Sequence, residues 1–207
     1  EAVKAIEVGI GMVADLKEKG YNVLATGEMG IGNTTTSSAV CSVLLDQSVE
    51  KVTGKGAGLT NKDLEHKIEV IRQSIALNKV NADDPLDVLA KVGGLDIAGM
   101  AGCYIGGAAL NIPVFIDGFI SSVAALIAIR LVPECAPYLF PSHCSNEPAG
   151  RMILDAIGKQ PYIFANMCLG EGTGAVMGFT IADYAFKAYW ELPSFEQTNF
   201  GTYEELN

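Results

Sequence analysis

"IPVFIDGFISSVAALIAIRL", residues 112–131, decides the fold. Its first part, 112–117, is apolar without alternation up to Asp117, as a strand covered on both faces must be. Asp117-Gly118 breaks the run, and 119–131 then reads as a buried helix. A doubly covered strand that passes directly into a helix is the repeating unit of a parallel sheet wrapped by helices. In such sheets ligands sit beyond the carboxyl ends of the strands. Asp117 stands at such an end, where it can face a ligand or cap the helix behind it.

The flanking sequence repeats the alternation. Residues 1–19 read as a helix closed by Gly20, and "YNVLATGEM" (21–29) as a buried strand entering a turn. Asn33 or Thr34 can cap a helix over 34–46. "VEKV" (49–52) reads as a short strand before a glycine turn, followed by an amphipathic helix capped near Thr60 or Asn61. Pro85 opens a short helix, and 96–110 is a further helix. "APYLFPSH" (136–143) reads as a strand, "EPAGRMILDAIG" (147–158) as a helix, and "GTGAVMGFTIADYAFKAYWE" (172–191) as a long last helix. The expected fold is α/β: a mainly parallel, Rossmann-like sheet with helices on both faces. Residues 1–191 would form the large domain and 192–207 a polar tail, with Phe195, Phe200 and Tyr203 as docking points.

The 207 residues suffice for one sizeable core, with 49% hydrophobic and 18% charged residues. A net charge of −10 and the lack of a basic run exclude a nucleic-acid-binding surface. The five cysteines lack C-x-x-C spacing, which suits reduced thiols in a cytoplasm. Two histidines and no ligand cluster predict no metal centre. The uncharged run 97–116 is as long as a bilayer span, but Asn111 and Pro113 interrupt it and Asp96 and Asp117 flank it, so no membrane span is expected. The sequence opens inside an amphipathic helix without Met, which leads us to expect further chain upstream.

Three glycine-rich turns precede predicted helices: "GEMGIGNTT" (27–35), "GKGAG" (54–58) and "GEGTG" (170–174). None is a Walker loop and none is a dinucleotide fingerprint, yet together they point to an anionic ligand held by backbone N–H groups. Lys67 follows the second turn, as a phosphate-binding cation or as a solvated lysine between Glu65 and Glu69. In "PSHCSNEPAG" (141–150), Ser142, His143 and Ser145 gather before a helix. They suit a phosphate, a helix cap at Ser145 or Asn146, or a Ser/His nucleophile that lacks the usual elbow motif. Glu28 and Glu171 stand inside two of the turns. A carboxylate beside a phosphate is repelled, so these two should face something else: an N–H to deprotonate or a developing cation.

"TGEMGIGNTTT", "GKGAGL", "GGLDIAGMAG", "IPVFIDGFISSVAAL", "SHCSNEPAG" and "LGEGTGA", in this order and spread over the whole chain, resemble the nicotinate-nucleotide–dimethylbenzimidazole phosphoribosyltransferase family. The resemblance implies transfer of 5-phosphoribose from nicotinate mononucleotide to 5,6-dimethylbenzimidazole in cobalamin biosynthesis, with inversion at the anomeric carbon. It implies Glu171 as the general base on the benzimidazole N–H, and Glu28 as an electrostatic partner or second base. Gly170 and Gly172 would hold the phosphoribosyl part, and Gly30, Gly56, Lys67 and Ser145 the phosphate, with Asp117 nearby. It implies no metal or cofactor, a homodimer, and a longer N-terminal region that helps build a small helical domain and the base pocket. Helices 96–110 and 119–131 could serve as dimer interface or as plain core. Lys55 and Ala57 depart from the Arg and Thr expected in the second turn. The competing reading is a nucleotide-binding module without catalysis.

Overall fold

The computed structural model describes residues 1–198. Helix α1 (Ala2–Glu18) buries Ala2, Ile6, Gly9 and Val13, a stripe at helical spacing. It lies along α6 (Leu95–Ala109), and the two backbones nearly touch. A Cβ on Gly9 would strike the Gly99 carbonyl, and one on Gly102 would strike that of Ile6. This explains why a long helix tolerates so many glycines: close packing outweighs a propensity cost of about 1 kcal/mol each.

Between them run β1 (Leu24–Ala25), α2 (Thr34–Leu44), α3 (Val49–Val52), α4 (Asn61–Asn78) and α5 (Pro85–Val92). Then follow β2 (Val114–Ile116), α7 (Phe119–Leu131), β3 (Leu139–Pro141), α8 (Gly150–Ala156) and α9 (Thr173–Glu191). Helix α7 is buried at every position from Phe119 to Ala128. It is apolar all round because it is the central helix of the core. The apolar faces of α6 and α7 thus pack largely into the core of this chain.

The three strands pair in parallel in the order β1-β2-β3, with Leu24 opposite Val114 and Phe115 opposite both Ala25 and Phe140. An isolated parallel bridge, His143 to Ile163, extends the sheet beyond β3. Side chains of β2 alternate: Val114 and Ile116 join the main core, while Phe115 faces away and meets Phe179 of α9 edge-on, with ring centroids 5.0 Å apart. Helices therefore cover both faces, as the sequence predicts. The coverage is unequal. Beyond its first two turns α9 exposes Tyr184, Phe186, Tyr189 and Trp190.

Several expectations need correction. "VEKV" is a turn of helix, because Val49 and Val52, three apart, bury the same side. In "APYLFPSH" only Leu139–Pro141 is strand, and Pro133–Tyr138 is a 3-10 turn closed by prolines. The helix expected from 147 begins at Gly150. In the tail, Phe195 is exposed on a short 3-10 turn whose start Ser194 caps, while Phe200 and Tyr203 lie outside the described residues. Among the described residues no helix is long and apolar enough to cross a membrane, and no group of His, Cys, Asp or Glu could hold a metal ion.

Candidate active site

All three strands end on one side of the sheet, and the segments that leave them line one cavity. Its wall includes Glu28, Gly30 and Thr34 from the loop after β1, Gly56 from the loop before α4, and Asp117, Gly118 and Phe119 after β2. His143, Ser145 and Glu147 come from the loop after β3, and Cys168 and Gly170 from the segment before α9. Six of the nine candidate residues (Glu28, Gly30, Gly56, Asp117, Ser145 and Gly170) share this wall.

Lys67 lies behind the wall. Only 7% of it is exposed, so the solvated reading fails. Its ammonium donates to Thr34 Oγ1 at 2.8 Å and to the Gly54 carbonyl at 3.0 Å. Burial lowers its pKa, and the Glu147 carboxylate partly restores it. Burial in turn raises the pKa of Glu147, opposed by Lys67 and by the Gly56 N–H. Lys67 is buried and Glu147 half-buried, and the charge of each offsets part of the other's cost of burial. Sequence reasoning misses Glu147. Glu-Pro at a loop-to-helix junction reads as an ordinary helix start, and only the approach of Lys67 from a distant helix reveals it.

The two glutamate turns pack face to face. The Glu171 N–H donates to the Glu28 carbonyl at 2.9 Å. A Cβ on Gly27 would overlap the backbone of Gly172. The Glu28 carboxylate bends back onto the N–H of Gly30, so that donor is already occupied. Glu171 is exposed and, like Gly172, is not among the residues that line the cavity, although its neighbour Gly170 is. Its φ is +58, between Gly170 (φ +77) and Gly172 (φ +81). A non-glycine residue in the left-handed region is strained by about 1–2 kcal/mol and marks a position worth a functional explanation.

Asp117 fixes this turn. It caps neither of its own helix's ends. One oxygen accepts from Gly172 N–H at 3.0 Å, the other from Gly174 at 2.8 Å and Ala175 at 3.2 Å. Helix α9 begins after Gly172, a residue with no capping side chain, so Asp117 supplies the missing cap from β2. The same commitment removes the hydrolase reading. Asp117 makes no bond to His143, and Ser142 is fully buried with its hydroxyl donating to the Ile116 carbonyl at 2.8 Å. Ser145 accepts from the Glu147 N–H at 3.3 Å, tying its loop rather than capping α8.

Known proteins resemble this chain. The profile of the family described as Phosphoribosyltransferase matches residues 1–200. The chain is 54% identical over its whole length to the nicotinate-nucleotide–dimethylbenzimidazole phosphoribosyltransferase of Ruminiclostridium cellulolyticum, covering 58% of that protein. It is 50% identical to the protein of that name from Acetivibrio thermocellus, over 99% of this chain and 58% of the relative. The crystal structure of CobT from Thermus thermophilus superposes with a TM-score of 0.88 at 33% identity, over 95% of this chain and 58% of that one. The chain thus spans a little under three fifths of the proteins it matches. It belongs to the phosphoribosyltransferase family.

Proposed function

We propose that this chain carries the catalytic α/β body of an enzyme that moves the 5-phosphoribosyl group from nicotinate mononucleotide to 5,6-dimethylbenzimidazole, releasing nicotinate and α-ribazole 5′-phosphate. One observation carries the reading: two glutamate turns are bonded backbone to backbone at the strand ends, over a cavity backed by a buried lysine. The kinship of the chain to proteins of that name supports the substrates.

In this reading the phosphate sits against the 54–58 turn and Ser145, with Lys67 behind Thr34 supplying positive charge, and Gly30, Gly170 and Gly172 shape the sugar side. A benzimidazole nitrogen attacks the anomeric carbon as the bond to the pyridinium nitrogen breaks. The bonding pair returns to the nicotinate ring and cancels its positive charge. The attacking azole becomes cationic, its other N–H becomes acidic, and Glu171 accepts that proton. Glu28, its carboxylate held inward, stabilises positive charge at the sugar.

We also assign residues 1–191 to the large domain and 192–207 to a tail that docks on a small helical domain of the family. The aromatic residues that α9 leaves exposed support this. Exposed Val8 and Met12 on α1 suit a homodimer contact, and the five cysteines, all free, suit a reducing cytoplasm.

The test is nicotinate release from nicotinate mononucleotide with and without dimethylbenzimidazole. Release that requires the base supports transfer. Tight mononucleotide binding without release on addition of the base supports a binding module instead. No binding and no release would sink the reading.

A further inference from the structure

His143 is the least explained residue of the cavity. It is 2% exposed, yet it lines the wall beside Gly118 and Ser145. Its ring lies between two glycines. A Cβ on Gly174 would collide with the Nδ1 edge, and one on Gly118 would stand 3.7 Å from both Cε1 and Nε2. Any larger residue at 174 would displace the ring, so the packing is built around the imidazole.

The hydrogen bonds around the ring select one tautomer. Nδ1 lies 3.1 Å from Ser142 Oγ. The single proton of that hydroxyl is directed to the Ile116 carbonyl at 2.8 Å, with the Asp117 carbonyl farther off at 3.4 Å. Ser142 can then only accept, so Nδ1 carries the proton and Nε2 a lone pair. Burial favours the uncharged ring, against the opposing pull of the Asp117 carboxylate. Among the described residues nothing bonds to Nε2. His143 therefore brings a fixed acceptor to the cavity wall, where a donor on a ligand can meet it.

We infer that His143 Nε2 accepts a hydrogen bond from a ribose hydroxyl of the bound mononucleotide and thereby selects a ribosyl over a deoxyribosyl donor. This rests on the proposed phosphoribosyl-transfer reading. The benzimidazole N–H is taken by Glu171 in the proposed reaction, so the donor to His143 is sought on the nucleotide. The phosphate and the nicotinate carboxylate are acceptors, and the pyridinium nitrogen carries no proton. The 2′ and 3′ hydroxyls are the donors the nucleotide offers. A site built to pair with a hydroxyl discriminates against an analogue lacking it, because the acceptor then loses that partner.

The experiment is calorimetric binding of nicotinate mononucleotide and its 2′-deoxy and 3′-deoxy forms to this chain, without base, as wild type, His143→Phe and His143→Gln. On the wild type we expect one deoxy form to bind about tenfold more weakly than the parent. On His143→Phe the three ligands should bind within about twofold of one another, and on His143→Gln, whose amide oxygen can accept, part of the discrimination should return. Equal wild-type affinity for all three ligands overturns the inference whatever the variants do. A penalty that persists undiminished in His143→Phe does so too. Failure of the parent nucleotide itself to bind would instead refute the reading of the site, and the inference with it.

Discussion

The turn at 27–30 holds its carboxylate inward, and the turn at 170–172 holds its carboxylate outward. Glu28 lines the cavity with ordinary backbone geometry and bonds to the N–H of Gly30. Glu171 sits exposed in a left-handed conformation, while its backbone N–H is bonded to Glu28. The difference separates two jobs. A carboxylate already accepting from a backbone N–H is held in place with a partner of its own. An exposed carboxylate next to a wall residue, Gly170, is free to meet the N–H of a second substrate, and its backbone is held in a strained conformation.

The largest effect should separate the two glutamates. Glu171→Gln should lower the rate of nicotinate release at saturating substrates by about 10²-fold or more. Glu28→Gln should lower it only about tenfold, as the amide oxygen can still take the Gly30 N–H. Equal losses would mean that the two turns share one role and that exposure does not mark the base.

Asp117 comes next, because it holds the outward turn in place. Asp117→Ala leaves the N–H groups of Gly172, Gly174 and Ala175 without their acceptor, in a helix that has no cap of its own. Urea unfolding should show a loss of about 2–4 kcal/mol, and Asp117→Asn a smaller one. A loss below about 0.5 kcal/mol would show that α9 finds another cap. The contact between the turns is tested by Gly27→Ala, whose methyl overlaps the Gly172 backbone. Overpacking of this kind costs about 1–3 kcal/mol. The variant should also lose activity, since Glu171 moves with Gly172. An active, stable variant would mean that the turns need not touch.

Much of this is legible in sequence, for reasons that the structure makes plain. The doubly covered strand before α7 is readable because nothing polar interrupts it before Asp117, and the glutamate turns because Glu28 and Glu171 are flanked by glycines. What escapes depends on partners far away in the chain. Lys67 sits among polar helix positions, and its burial follows only from Thr34 and Gly54. Glu147 shows itself only beside Lys67. Asp117 is readable as a cap but not as the cap of α9, because it reaches backbone N–H groups 55 to 58 residues onward. Four residues with two valines fit a strand as well as a helix turn, and only the packing of Val49 and Val52 on one side decides.

The smallest effect tests the comparison most directly. If strain at position 171 serves the carboxylate and not the fold, removing both together should stabilise the protein. Glu171→Gly deletes the side chain and places at φ +58 the residue type that tolerates it best. Relief of the left-handed strain, less the entropy that a glycine adds to the unfolded chain, leaves a gain of about 0.5–1 kcal/mol in unfolding free energy. Nicotinate release should fall as far as in Glu171→Gln. Stability gained while activity is lost, at one residue, is the mark of a conformation held for function. A destabilised Glu171→Gly variant would show that the side chain props the turn, and the outward carboxylate would then need a structural explanation.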